Sequence, residues 1–476
     1  MVFSSLAFLY GFLPVALAGH LLMPRRFRNL WLLLCSLAFY AWGEGRLVIV
    51  LLGSIVFNYG AARCLTSVSD RPRARSLVLG AAIGLNLLPL LFFKYTAFIL
   101  ALLTPLLSSL GMPAGGIVIP LPLGISFFTF QAISYLIDVA RGDIAAEANL
   151  IRYGAYKSMF PQLIAGPIVR YRDIAHDLLE ATASTALIVE GIERFTIGLA
   201  KKLLLADILA IPADRAFSLA PDLLTTPMAW AGLICYTLQI YFDFSAYSDM
   251  AIGIGRILGL RILENFNLPY SARSVRDFWR RWHISLSTWF RDYLYIPLGG
   301  SRRGPLRTAF NLGTVFLLCG LWHGASWTFV LWGCLHGACM GIEHFSTVRT
   351  SHWITSNRIL GSGYALSVIV LTWVLFRSPS LAYAGHFYLA LSGHGAAFDG
   401  QAWSETMGSD TLTAIAIGSF LSVGGWPWLS RRLAPSGARV AALAPWLRLV
   451  RLWAILVLCT MTLLGNAYSP FIYFRF

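Results

Sequence analysis

The sequence predicts an all-α polytopic membrane protein, and two observations carry that prediction. Hydrophobic residues make up 57% of the 476-residue chain and charged residues only 12%, about half the charged share of a soluble domain. Apolar runs near the ~20 residues needed to cross a bilayer also recur along the whole length.

The clear runs are Leu6–Met23, Leu47–Cys64, Leu77–Phe93, Ile117–Ala140, Ala229–Ile254, Ala309–Met340, Ala365–Phe376, Leu412–Trp426 and Leu452–Leu464. Leu30–Trp42 and Tyr95–Leu110 are shorter and read as tilted, paired or partial spans. Together they predict roughly 10–12 transmembrane helices, with re-entrant or interfacial helices around a central tunnel. No tandem repeat or soluble domain interrupts them. The chain reads as one domain over 1–476, with N-terminal helices to about 115, a catalytic core over 116–345 and C-terminal helices over 346–476.

At the N-terminus, Ala16-Leu17-Ala18 resembles a signal-peptidase site, but the basic cluster Arg25, Arg26, Arg28 follows the apolar run instead of preceding it. The pattern predicts a retained first helix with a cytoplasmic C-terminal end. The net charge of +15 is spread over short clusters at Arg25–Arg28, Arg71–Arg75, Lys201–Lys202, Arg273–Arg307 and Arg431–Arg439. Basic loops between apolar runs follow the positive-inside rule, so the charge implies a lipid bilayer and no nucleic-acid partner.

From Pro120 the texture changes. Pro120-Leu121-Pro122-Leu123-Gly124 breaks the head of an apolar segment, and Phe160-Pro161 to Gly166-Pro167 repeats the theme. Broken helices at membrane depth must be buried in protein or line a cavity. In Tyr241–Met250 two carboxylates, Asp243 and Asp249, stand six apart and so on different helical faces. That spacing predicts structural roles, with hydrogen bonds from serines, tyrosines or an arginine of the next loop, and no catalytic dyad.

The segment from Phe278 to Ser301 has two readings. Trp279, Trp282, Trp289, Phe278, Phe290, Tyr293 and Tyr295 fit an aromatic belt on an interfacial anchoring helix. Alternatively, Arg280, Arg281, Arg291, Arg302 and Arg303, with the ring of Trp282, form a portal for an anionic, nucleotide-bearing donor. Arginine forks grip phosphate, an aromatic face stacks a base, and Gly299-Gly300-Ser301 permits close backbone approach.

Two tryptophan–histidine pairs attract attention, Trp282-His283 in this polar segment and Trp322-His323 in the oily run that follows. An imidazole in an apolar run is expensive unless it meets a polar cavity or a partner, and its ordinary pKa suits proton transfer. His336 lies thirteen residues after His323, and neither HxxxH nor HExxH occurs, so no metal site is expected. The seven cysteines read as small buried residues without a CxxC motif. Cys319 precedes His323 by four and shares its helical face, which leaves a cysteine–histidine nucleophile pair as a second reading.

Taken together, these segments resemble the membrane-bound O-acyltransferase family, in its alginate O-acetyltransferase branch. The resemblance runs from Met1-Val2-Phe3-Ser4-Ser5 through Pro122–Phe127, Leu163–Pro167, Tyr241–Met250 and Glu264–Asn267. It continues through Phe278–Ser287 to Leu321–Ala325, covering about residues 1–380. It implies a multi-pass protein of the bacterial inner membrane that moves an acetyl group from cytoplasmic acetyl-CoA, with no permanently bound cofactor. The acceptor would be a polysaccharide hydroxyl, reached directly or through a periplasmic acetyltransferase partner. The family's essential histidine falls on His323, which would act as general base. Its second histidine falls on His283, which would orient His323 or the donor, or assist proton transfer. Cys319 stands where relatives tend to carry glycine. Acetylation of cellulose or peptidoglycan, D-alanyl transfer to teichoic acid, and a non-catalytic transporter are the rival readings. The chain has no Gly-x-Ser-x-Gly elbow, so no serine nucleophile is expected in it.

Overall fold

The computed structural model describes residues 3–110, 119–180, 182–345, 357–432, 438–465 and 471. Residues 1–2 of the opening motif, the first two residues of the run Ile117–Ala140, and the expected subdivision points near 115 and 345 lie outside or at the edge of these. Among the described residues the regular secondary structure is helical. The one β contact is an isolated bridge between Thr225 and Ala396.

By packing, the chain forms two units, Met1–Ile192 with Ala251–Leu263, and Glu193–Met250 with Glu264–Phe476. The first contains α1 (Leu13–Leu22), α2 (Arg25–Glu44), α3 (Val48–Ser67), α4 (Pro72–Leu90), α5 (Thr96–Ser109), α6 (Ile125–Arg141), α7 (Leu150–Ser158) and α8 (Tyr171–Glu180). Its core joins Phe8, Phe39 and Phe160, whose ring centroids lie 5.8–6.4 Å apart. The two broken segments meet inside this unit. Gly124 adopts φ +74°, and a side chain there would strike the carbonyl oxygen of Leu163 at 2.3 Å. Only glycine fits both the backbone angle and the approach.

Helix α9 (Thr185–Lys201) runs into the second unit, which also holds α10 (Asp207–Ser218) and most of the 33-residue α11 (Thr226–Leu258). Burying Asp243 and Asp249 on α11 demands cations, and α9 with the turn after it supplies them. Asp249 binds Arg194 and Lys201, each at 2.6 Å, and Asp243 binds Lys202 at 2.7 Å. The carboxylates are structural, as expected, but these cations come from upstream and not from the following loop. A buried charge requires a nearby opposite charge, and the fold brings the basic residues of α9 and of the turn after it to these carboxylates.

Then follow α12 (Val275–Arg281), α13 (Ile284–Phe290), α14 (Pro305–His323), α15 (Trp327–Phe345), α16 (Arg358–Arg377), α17 (Leu381–Leu389), α18 (Gly400–Thr406), α19 (Ser409–Ser422), α20 (Gly425–Arg432) and α21 (Ala438–Gly465). Helices α14 and α15 form an antiparallel hairpin through glycine contacts. A Cβ on Gly320 would meet the carbonyl oxygen of Phe329 at 2.3 Å, and one on Gly333 the carbonyl oxygen of Phe316 at 2.3 Å. Small residues at such positions let two membrane helices touch backbone to backbone.

Among the described residues, four helical segments are long and apolar enough to cross a bilayer: Arg25–Ser67, Pro72–Ser109, Arg358–Arg377 and Trp446–Gly465. The bent pair Ser409–Ser422 and Gly425–Arg432 adds a fifth if counted as one span. This multi-pass, all-helical architecture matches the predicted class, while length and hydropathy alone mark fewer spans than the ten to twelve expected. Helices α11, α14 and α15 carry carboxylates, histidines, asparagine and tryptophan that are buried inside the protein. Those residues lower their hydropathy without making them surface helices.

The anchoring-belt reading is overturned by burial. Phe278, Trp279, Trp282, Trp289, Phe290 and Tyr293 are all buried. Trp282 packs in an aromatic core with Phe278 at 5.4 Å, Phe266 at 5.1 Å and Trp373 at 5.3 Å. Amphipathic spacing alone does not tell a lipid surface from a protein interior.

Candidate active site

Helix α12 is one short turn-pair, so its position depends on its ends. Ser274 caps it by accepting from the Asp277 N–H at 3.0 Å. The carboxylate of Glu343 on α15 accepts from the N–H groups of Val275 and Arg276, at 2.7 and 3.0 Å. Negative charge at a helix N-terminus satisfies its orphan donors. The Trp279 indole then donates to Nδ1 of His336 at 3.2 Å, which docks α12 on α15 a second time.

That indole settles the chemistry of His336. Nδ1 accepts from a donor that cannot accept, so Nε2 carries the hydrogen and donates to Thr372 Oγ1 at 3.1 Å. Thr372 passes its own hydrogen to the carbonyl of Val368 at 2.8 Å. Both nitrogens are thus committed to the scaffold, and His336 is a structural histidine.

A cavity of about 580 Å³ opens beside α12. Arg276, Arg280 and Arg291 stand on its lining with Ser301, and its apolar wall includes Val315, Phe316 and Cys319 of α14. The volume is typical of a cavity for a sizeable ligand. Of the residues predicted to hold a donor, Arg280 and Arg291 line this cavity. Arg281, Trp282, Arg302 and Arg303 do not. Arg281 is drawn to Asp277 at 2.8 Å, Trp282 lies in the aromatic core, and Arg302 and Arg303 are exposed on the turn before α14. Arg276 joins the lining, and its signal was present in the sequence, since it precedes Arg280 by four on one helix face.

His323 is the last residue of α14, one helical turn beyond Cys319. It is 5% exposed. Its imidazole meets the rings of Trp322, Phe376 and Trp332 at 4.8, 5.1 and 5.2 Å. The helix ends at Gly324, which is extended at φ −160° and ψ 148°, and only glycine fits there, because a side chain would strike the Phe329 ring at 2.1 Å. Helix end, glycine and aromatic box together fix where this imidazole sits.

His283 stands between α12 and α13 and is fully buried. The ring of Trp322 lies 6.0 Å from His283 and 4.8 Å from His323, so one indole touches both imidazoles. His283 adopts φ 45° and ψ 54°, a left-handed conformation rare for a side-chain-bearing residue, which costs about 1–3 kcal/mol and concentrates at functional sites. Burial pushes its pKa down to about 3, so the ring is neutral near pH 7 and offers one N–H and one lone pair. Asn265 holds it, with Oδ1 3.2 Å from His283 Nδ1. The periodicity of the sequence carries no signal for Asn265, which sits in a non-helical stretch between α11 and α12 and acts on residues 18 to 20 positions away.

The region thus holds a cavity lined by arginines and apolar side chains and, outside that lining, two buried imidazoles joined by one indole, with Cys319 on the lining one turn before His323. Such a set suits transfer of an acyl group between an anionic carrier and a hydroxyl. No group of three or more metal-ligating side chains occurs among the described residues.

Comparison with known proteins points the same way. The family model for membrane-bound O-acyltransferases matches residues 122–377. The chain is 44% identical over 398 residues to the probable alginate O-acetylase AlgI of Pseudomonas syringae pv. tomato, covering 83% of this chain and 76% of that one. It is 39% identical to the protein of the same name from Pseudomonas putida, over the full length of both. It is 37% identical over 415 residues to the peptidoglycan O-acetyltransferase of Helicobacter pylori, covering 80% of this chain and 78% of that one. The cavity, the paired histidines and the helical membrane scaffold thus belong to an O-acyltransferase, and the chain is a member of the membrane-bound O-acyltransferase family.

Proposed function

We propose that this chain is a bacterial inner-membrane O-acetyltransferase that takes an acetyl group from cytoplasmic acetyl-CoA and delivers it outward for O-acetylation of an exopolysaccharide, alginate. The observation that carries the reading is the cavity's lining, in which Arg276, Arg280 and Arg291 stand with apolar side chains and with Cys319, one turn from His323.

In this reading the phosphates of acetyl-CoA lie against Arg276, Arg280 and Arg291, through charge-assisted hydrogen bonds. The thioester arm follows the apolar wall toward His323. His323 takes the proton of the incoming hydroxyl, whose oxygen attacks the thioester carbonyl carbon. The carbon–sulfur bond breaks, and the CoA thiolate leaves and collects a proton. General-base assistance of this kind contributes about 10²–10⁴-fold. The hydroxyl belongs either to the sugar or to a periplasmic partner that completes the transfer. The alginate O-acetylase names of the two Pseudomonas relatives favour alginate as acceptor, and the Helicobacter relative makes peptidoglycan the alternative.

The test is to give membranes holding the chain acetyl-CoA labelled in the acetyl group, and to follow label into alginate, peptidoglycan and periplasmic protein. Alginate labelling that disappears with His323→Ala at unchanged membrane level supports the reading. Labelling that persists in His323→Ala, or that goes to peptidoglycan, overturns the mechanism or the acceptor respectively.

A further inference from the structure

We propose that Asn265 is a positioning residue that fixes both the ring tautomer and the backbone conformation of His283. The inference deepens the acyl-transfer reading of the site and rests on it.

Amide orientation comes first. The backbone N–H of Ser285 can only donate, and it donates to Asn265 Oδ1 at 3.1 Å. The oxygen must therefore face this side, and Nδ2 donates the other way, to Ser248 Oγ at 3.2 Å. Ser285 Oγ donates to the same Oδ1 at 2.9 Å. An oxygen that receives these bonds cannot donate to an imidazole. The 3.2 Å contact to His283 Nδ1 thus requires the hydrogen on Nδ1, and the neutral ring keeps its lone pair on Nε2. Ser285 Oγ also lies 3.4 Å from Nδ1, a longer contact than its bond to Asn265.

The backbone argument is independent. The Asn265 carbonyl accepts from the Ile284 N–H at 2.9 Å, while its side chain takes the next N–H, that of Ser285. Two residues further on, Asn267 N–H donates to the carbonyl of Arg281 at 2.9 Å. His283 lies inside this clamp with its left-handed φ of 45°. A strained residue persists only where its surroundings over-determine it, and Asn265 ties down both residues that follow it. The fully buried Asn265 therefore sets where Nε2 points and which nitrogen keeps its lone pair.

The test combines nitrogen NMR of ¹⁵N-histidine-labelled protein in lipid with steady-state kinetics. His283→Asn assigns the His283 signals, and Asn265→Ala and Asn265→Asp probe the hold. We expect Asn265→Ala to mix the His283 tautomers and lower kcat roughly 10- to 100-fold, with the KM for acetyl-CoA within about twofold. In a His283→Asn background the same change should add nothing. Asn265→Asp, which keeps the acceptor, should retain the Nδ1–H form and move the acid limb of the pH profile upward, because a carboxylate favours the charged ring. An unmixed tautomer in Asn265→Ala, a multiplicative loss in the double variant, or loss of the Nδ1–H form in Asn265→Asp overturns the proposal. Full activity in His283→Asn removes that ring from the reaction, and the nitrogen spectra still judge Asn265 separately.

Discussion

Trp279 donates its indole hydrogen to Nδ1 of His336 at 3.2 Å, and the same tryptophan lines the cavity that Arg276, Arg280 and Arg291 also line. One side chain therefore couples the position of α12 to the donor site. Trp279→Phe keeps the ring and deletes the donor, leaving a buried nitrogen unsatisfied. The expected loss is about 1–3 kcal/mol, read as a lower thermal unfolding midpoint in detergent. The KM for the acyl donor should rise with it, and an unchanged midpoint would mean that the bond is idle.

The arginines divide by geometry. Arg280→Glu or Arg291→Glu should raise the KM for acetyl-CoA roughly 10- to 100-fold with kcat little changed, given charge-assisted bonds of about 1.5–3 kcal/mol. Arg302→Glu, on the exposed turn outside the cavity, should stay within about twofold. Equal effects at all three positions would return the donor site to the whole basic segment.

Cys319 separates direct transfer from an acyl-enzyme. If its thiol only lines the wall, Cys319→Ser keeps activity within about threefold, whereas Cys319→Phe fills the cavity's apolar wall and lowers kcat/KM more than tenfold. Abolition by Cys319→Ser, or acetyl label retained on the chain at this residue, would instead make it a nucleophile.

His283 predicts a pH dependence of stability. Its pKa in the folded protein is pushed down to about 3 by burial, below its ordinary value near 6.5. As pH falls below ~6.5 the unfolded chain binds a proton that the folded chain refuses, so stability declines down to about pH 3. The slope from this group is at most about 1.4 kcal/mol per pH unit. His283→Asn, which keeps an N–H for Asn265, should unfold with a flatter acid dependence over that window. A slope identical to the unsubstituted protein would place the acid sensitivity elsewhere.

Much of this was legible in residue order. The helical membrane class follows from apolar runs recurring over the chain, and Asp243 and Asp249, six apart, were separable as structural carboxylates. The two tryptophan–histidine pairs marked the places where buried imidazoles stand. Arg276 was readable too, through its four-residue spacing from Arg280. By contrast Trp282, an inviting platform for a base, lies in an aromatic core because packing of Phe266, Phe278 and Trp373 decides which ring faces a cavity.

What the sequence determined by itself was therefore composition, period and the cost of polar groups in oily runs, since these act over a few neighbouring residues. What only the tertiary structure decided was which polar groups meet. Asn265 reaches His283 across 18 residues and Trp279 reaches His336 across 57. Lys202 reaches Asp243 in the same way. A hydrogen bond or ion pair is won by whichever donor the fold brings within about 3 Å, and local periodicity holds no record of that meeting.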